Sequence, residues 1–369
     1  MAMSFDVIMV GVGAMGAATC HALAERGLRV LGLEQFGIPT ALGSSGGDTR
    51  LCRMAYYEHP AYVPLLRRAY AHWDALHDRT GEQVFHRTGL VSFGLPEGEL
   101  LRGTRASAEH YGVTVEEVAR SEACERFPAF EVPEAYEAVF EPDAGFLLAT
   151  RAIHLYAQQA KQHGAVLRAR ERVQSWVLDG DGVRVVTERG TYLGSRVVFT
   201  SGAWTSGLLP TLRASLRVTR QVYGWVQPLE PERFAVGRFP GWLLESEAHG
   251  IYYGFPMLPA EPFGCRPGLK LGRHVAGGRI ALERLDRAVS TDEEEDFRRG
   301  LRRFLPSAHG PTLDTGVCLY TMTPDEHFVV GPVPSMPQVF VASGFSGHGF
   351  KFAPVIGEVL ADLVTEGVT

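Results

Sequence analysis

The stretch from Phe5 to Glu34 constrains the fold of this chain more than any other. Phe5, Val7, Ile8, Met9 and Val10 form an apolar run of the kind that makes a strand buried on both faces of a parallel sheet. Gly11, Gly13 and Gly16 follow at once. In that spacing the first glycine permits a tight turn, the second lets backbone approach a pyrophosphate, and the third lets helix pack on strand. A helix is expected to about Glu25, with small Ala14, Ala17 and Ala18 suited to close packing and Gly27 as its stop. Leu28, Val30, Leu31 and Leu33 make a second strand, and Glu34 closes it where a carboxylate can bind a ribose diol and repel a 2′-phosphate. Strand, turn, helix, strand and acid in this order predict a dinucleotide site. FAD and NAD remain open on these residues, and NADP is disfavoured.

The bulk of the chain fits a globular α/β protein. Its 369 residues are enough for two or more units, and 45% hydrophobic content is ample for large cores. The net charge of -6 comes without any Lys/Arg block, so neither nucleic acid nor an anionic membrane is implied as a partner. No apolar run approaches 18 residues, and Met1 to Ser4 leads straight into a strand with no export signal in view. The five cysteines are scattered, without a C-x-x-C, so reduced thiols in a cytoplasm are expected and no metal site.

Beyond Glu34, the Gly/Ser/Thr/Pro-rich loop Gln35 to Gly47 delivers Asp48, Thr49, Arg50 and Arg53. The two arginines fall on one side if the segment is helical and could then clamp a carboxylate, although spacing alone favours a solvated charged turn. A helix is expected over Tyr62 to Asp78 and a strand over Thr88 to Phe93, while Glu97 to Glu141 shows no chemistry. Thr150 is placed to cap a helix closed by Gly164; Val166 to Val177 and Val183 to Val186 read as strands joined across Asp179-Gly180-Asp181-Gly182. Val197 to Phe199 then returns the chain to the nucleotide sheet, so the domains are expected to be discontinuous. The stretches 218–226, 250–255 and 269–274 look like strands of a mixed sheet. Alternation sends Lys270 and His274 to one face, which more often meets solvent but could carry proton or charge chemistry. Thr291 and Glu294 are spaced as a capping box for a helix to Phe304. Near the end, Gly344-Phe345-Ser346-Gly347-His348-Gly349 runs into a last helix over about Ala353 to Thr365. A helix start of that kind presents free N–H groups that suit negative charge.

At these residues the chain resembles the flavin-dependent secondary-amine oxidases, the sarcosine oxidase and N-methyltryptophan oxidase family. The resemblance rests on Gly11-x-Gly13-x-x-Gly16, Gly47-Asp48-Thr49-Arg50 with Arg53, Tyr252-Tyr253-Gly254-Phe255-Pro256, Leu269-Lys270-Leu271-Gly272, Cys318-Leu319-Tyr320-Thr321, Asp325-Glu326-His327-Phe328 and Gly344 through Phe352. It implies a Rossmann-type FAD domain (1–90, 146–216 and 318–369) interleaved with a mixed-sheet substrate domain (91–145 and 217–317). It implies FAD as cofactor, attached covalently through Cys318, whose thiolate nearby Arg50 would favour. Read without its flanking motif, Cys318 would be a buried inert thiol. The resemblance further implies cofactor contacts from Gly11, Gly13, Ala14, Met15, Gly16, Glu34, Gln35, Asp48, Thr49 and Arg50 in the first part of the chain. Val173, Gly202 and Trp204 in the middle, and Tyr320, Gly344, Gly347, His348, Gly349 and Lys351 at the end, complete that set.

For the reaction, the resemblance implies that Arg53 and Lys351 hold a substrate carboxylate, that Tyr253 and His274 line the amine side, that Lys270 serves oxygen reduction, and that Arg50 stabilises the electron-rich flavin. The implied activity is oxidation of a secondary-amine acid such as sarcosine, with O2 as acceptor and H2O2, an amine and an aldehyde as products, by a monomer. A cyclic amine acid such as pipecolate or proline is the alternative substrate. An NAD-dependent dehydrogenase, supported only by the first thirty-odd residues, and a flavin-binding protein without turnover are the alternatives of other classes. The chain departs from the family pattern at Gly46, where relatives usually carry His; at Met54 to His59, which border the substrate entrance; and in a longer loop between Pro256 and Leu269.

Overall fold

The computed structural model describes residues 4–274 and 277–369; the first three residues, over which no export signal is expected, lie outside the described residues. The strand Ser4–Val10 sits at the middle of the first of two eight-stranded sheets. It pairs in parallel with Val30–Leu33 on one side and Thr191–Phe199 on the other, and Val7 to Val10 are 4% exposed or less. Such burial on both faces is why the run is apolar without alternation. Val166–Arg168 extends the sheet beyond Val30–Leu33, and Met336–Ser343 pairs in parallel with the end of Thr191–Phe199. An antiparallel meander, Val173–Asp179 and Gly182–Thr187, turns at Gly180-Asp181 and joins the start of the same strand. The single strand expected over 166–177 is thus two strands, separated where Glu171 N–H bonds back to Glu34 O.

The second sheet is mixed. Its order is Thr312–Met322, Arg217–Val226, Leu269–His274, Gly250–Gly254, Gly241–Ser246, Leu90–Gly94, Glu137–Glu141 and Glu116–Val118, with one parallel pair between 241–246 and 90–94. In a small third sheet Gly145–Leu148 pairs with Thr49–Cys52 on one side and Phe85–His86 on the other. Arg50 therefore lies on an extended strand and Arg53 just beyond its end, not on the helix considered from their spacing. Left-handed backbone at Gly47 (φ 90°) and Asp48 (φ 64°) turns the chain into that pairing.

Helix ends correct two expectations. Thr150 lies inside the helix Ala149–Gln162, whose preceding residue Leu148 offers no side-chain cap. The capping box of Thr291–Phe304 is formed by Ser290 and Glu293, one residue earlier than Thr291 and Glu294, because Ser290 holds the extended cap conformation. The last helix, Ala353–Thr365, packs on the first, Ala14–Glu25, so closely that a Cβ on Gly357 would meet Ala18 backbone at 2.8 Å. No helix among the described residues is long and apolar enough to cross a membrane, and no group of three or more metal-ligating side chains occurs among them.

Candidate active site

A cavity of about 1460 Å3 runs from the first sheet to the second. At one end lie Gly11, Gly13, Ala14, Met15, Glu34, Gln35, Val173, Gly202 and Trp204; at the other lie Arg50, Tyr253, Lys270, Cys318, Tyr320, Gly344, Gly347 and Gly349. Most of the residues picked from sequence thus share one lining.

The first end is shaped by close packing. A Cβ on Gly16 would fall 2.0 Å from Gly11 O, so only glycine lets the helix begin this near the turn. Gly16 itself does not line the cavity; it packs behind the residues that do. The helix start at Gly13 has no side-chain cap and no acid in its first turn, so its leading N–H groups and dipole are left for an anion. Glu34 is buried and accepts N–H bonds from Val12 and Phe36, both at 2.9 Å. Burial raises its pKa, against the pull of those N–H groups. An uncapped helix start and an anchored acid at one end of a long cavity fit the pyrophosphate and ribose of a dinucleotide.

The second end is cationic. Arg50 gives its hydrogen bonds to the carbonyls of Thr49 (2.7 Å), Ser44 (2.7 Å) and Gly46 (2.6 Å). Carbonyls orient the guanidinium without neutralising it, and its charge is left to act on the cavity. Lys270 is buried on the strand Leu269–His274 and donates to Gly47 O, to Thr49 O at 2.9 Å and to Thr49 Oγ1 at 3.2 Å. Burial, then Arg50, holds its pKa well below the usual lysine range. Asp48 and Thr49 stay off the lining and act behind it, forming the turn whose carbonyls hold Lys270. Asp48 is itself paired with Arg266 (3.3 Å), from the long loop before Leu269, and that guanidinium stacks 4.2 Å from the Trp225 ring.

Cys318 is buried beside Tyr223, Trp225 and Tyr320 and lines the cavity. Burial raises its pKa, and the charges of Arg50 and Lys270 oppose that shift. The sequence expectation of a lowered thiol pKa is therefore corrected: the cations act in the expected direction, and burial outweighs them.

Arg53, His274, His348 and Lys351 are brought together next to the residues that line the cavity and are not themselves on its lining. His274 Nδ1 lies 3.1 Å from Tyr320 Oη, and Tyr320 is on the lining. Burial lowers the His274 pKa to about 4, even though Glu58 pulls it up, so the ring is neutral near pH 7. Arg53 sits between the rings of Tyr56 (4.3 Å) and Tyr57 (4.5 Å), and Lys351 Nζ is 4.9 Å from the same Tyr56 ring. Both cations are buried, and Arg53 grips Glu58.

Sequence reasoning placed Tyr56 and Glu58 at the substrate entrance without giving either a role, and passed over Glu141. Glu141, from the stretch where no chemistry is expected, accepts N–H bonds from Met54 (2.6 Å) and Ala55 (3.0 Å) and so anchors the turn after Arg53. An acid at the end of the apolar strand Glu137–Glu141 was the one available signal.

The model for FAD dependent oxidoreductases matches residues 6–363, nearly the whole chain. The chain belongs to this family. Among similar proteins, a monomeric sarcosine oxidase of Bacillus sp. (strain B-0618) is 38% identical over 100% of this chain and 94% of its own. The N-methyl-L-tryptophan oxidase of Yersinia pestis (strain Pestoides F) is 36% identical over 97% of this chain and 94% of its own. The open form of NikD, described as an unusual amino acid oxidase essential for nikkomycin biosynthesis, superposes with a TM-score of 0.86 at 28% identity, covering 99% of this chain and 95% of that one. In this FAD-dependent oxidoreductase, the glycine turn and Glu34 at one end of the cavity have a shape that fits a dinucleotide.

Proposed function

We propose that the protein oxidises a secondary-amine amino acid, sarcosine or another N-methyl amino acid, with O2 as the final acceptor. When bound, FAD supplies a two-electron acceptor for the C–H bond next to nitrogen and returns those electrons to O2 as H2O2. The carrying observation is that Arg53 and Lys351 share one tyrosine ring next to neutral His274 and the cavity-lining Tyr320. Two cations are placed to take a carboxylate through charge-assisted hydrogen bonds, and a neutral imidazole beside them does not repel the amine. Fixing the carboxylate orients the rest of a small substrate, which lowers the barrier more than the contact energy alone. A cationic site also favours loss of the amine proton, as the chemistry requires.

The remaining roles follow the same reading. Lys270, held by carbonyls at the cationic end, places positive charge where oxygen is reduced. Cys318 carries the flavin covalently. The enzyme acts as a monomer in the cytoplasm, its five cysteines free thiols. The FAD domain (1–90, 146–216 and 318–369) alternates with the substrate domain (91–145 and 217–317); support comes from strands of the two large sheets alternating along the chain, although the strand bearing Cys318 pairs with Arg217–Val226 of the mixed sheet.

A coupled peroxide assay against sarcosine, N-methyl amino acids, pipecolate and proline tests the proposal. Turnover is expected with an N-methyl amino acid. Preference for the ring substrates would move the assignment to cyclic amines, and NAD reduction without peroxide would overturn it.

A further inference from the structure

The resemblance puts His348 among the cofactor contacts, yet it is not on the lining of the cavity. Its Nε2 lies 3.0 Å from the carbonyl oxygen of Glu326, and its Nδ1 lies 2.6 Å from Tyr56 Oη. A carbonyl only accepts, so Nε2 carries the ring proton. Nδ1 of the neutral ring is then an acceptor. The Tyr56 hydroxyl lies 3.1 Å from the His348 carbonyl oxygen but 2.6 Å from Nδ1, so its one hydrogen goes to the nearer Nδ1 and its oxygen is left to accept. Lys351 Nζ lies 3.3 Å from that oxygen and 2.9 Å from the His348 carbonyl. The directions are consistent at every link: lysine to tyrosine, tyrosine to imidazole, imidazole to backbone.

We propose that His348, acting through Tyr56, is a positioning residue that holds the Lys351 ammonium in place for a substrate carboxylate. The proposal rests on the reading of Lys351 as a carboxylate ligand.

Three features of the fold support it. The loop bearing His348 is fixed, since Ser346 N–H bonds to Thr321 O at 2.9 Å and left-handed backbone at Ser346 (φ 46°) and Gly347 (φ 85°) aims the following residue at Tyr56. A Cβ on Gly347 would strike the Tyr320 ring at 2.3 Å, so the loop seats directly on the strand that carries Cys318. The imidazole is enclosed by the rings of Tyr56, Tyr62 and Phe328, with centroids 5.7, 5.8 and 4.9 Å away; the charges that reach it are those of Glu58 and Lys351, and the titratable His274 beside it is neutral near pH 7. Burial keeps the His348 ring neutral, lowering its pKa to about 4 although Glu58 acts in the opposite sense.

The test uses acetate as the carboxylate probe, titrated calorimetrically into FAD-loaded enzyme at pH 7. Tyr56→Phe keeps the ring beside Arg53 and removes the hydroxyl; His348→Leu removes the acceptor; His348→Asn restores an acceptor oxygen near the Nδ1 position. Tyr56→Phe and His348→Leu are each expected to weaken acetate about tenfold, the scale of one hydrogen bond to a charged group, with His348→Asn recovering most of the loss. In a Lys351→Met background neither substitution should cost anything further. Undiminished losses in that background, or His348→Asn as weak as His348→Leu, overturn the positioning role alone. Unchanged acetate affinity in Lys351→Met itself overturns the carboxylate reading, and the proposal with it. Should His348→Leu fail to fold, the cycle of Tyr56→Phe with Lys351→Met decides by the same criterion.

Discussion

Arg53 holds Glu58 by both carboxylate oxygens, at 2.7 and 2.6 Å, with the pair almost wholly withdrawn from water. Burial is the largest influence on Glu58 and would raise its pKa, but the Arg53 charge, its hydrogen bonds and the Lys351 charge together outweigh it and bring the carboxyl to about 2, so the acid is ionised at any working pH. A substrate carboxylate that takes Arg53 competes with Glu58, whose two oxygens both accept from Nη2 of the guanidinium.

Glu58→Gln is therefore expected to bind acetate several-fold more tightly, the competing charge being gone. Breaking a buried pair leaves the remaining charge uncompensated, at about 3–5 kcal/mol. Its melting temperature should fall without ligand and recover with acetate by more than the wild type gains. Thermal scans with and without acetate check both points; equal shifts in the two proteins would rule out the competition.

Carboxylate binding should also depend on pH through Lys351. Burial, then the Arg53 charge, lowers its pKa to about 8. Below that pH the ammonium is charged and binds; above it the amine is neutral and the attraction is lost. Acetate affinity should decline as pH rises through about 8, and Lys351→Met should bind weakly with no such decline. A wild-type profile flat from about pH 7 to about pH 9 would remove the role assigned to this titration.

Lys270→Met should slow reoxidation by O2 at least about a hundredfold, the scale of one preorganised electrostatic contact, while slowing anaerobic reduction by substrate far less. Stopped-flow absorbance separates the steps. Equal slowing of both would mean that Lys270 only supports the site.

Cys318 predicts a simple colour test. Acid-precipitated wild-type protein should stay yellow, and Cys318→Ser should release all colour to the supernatant. Release from the wild type would refute covalent attachment. Gly46, which stands where relatives usually carry His, makes slow attachment the expected behaviour during reconstitution with FAD.

Local sequence determined the dinucleotide end, because its geometry is made by neighbours in the chain. Gly11, Gly13 and Gly16 shape one turn, and Glu34 closes the adjacent parallel strand, so spacing alone carries the information. Strand alternation likewise put Lys270 and His274 on one face. Tertiary structure decided the rest. Whether Arg53 faced a ligand or another side chain depended on Glu58 folding back five residues later, and on Glu141 reaching the Met54 and Ala55 amides from 86 or more residues away. The Lys351, Tyr56 and His348 chain joins residues about three hundred positions apart, where no periodicity operates. Spacing constrains only groups that share one helix, strand or turn; hydrogen-bond direction and burial are set by whatever the folded chain brings alongside.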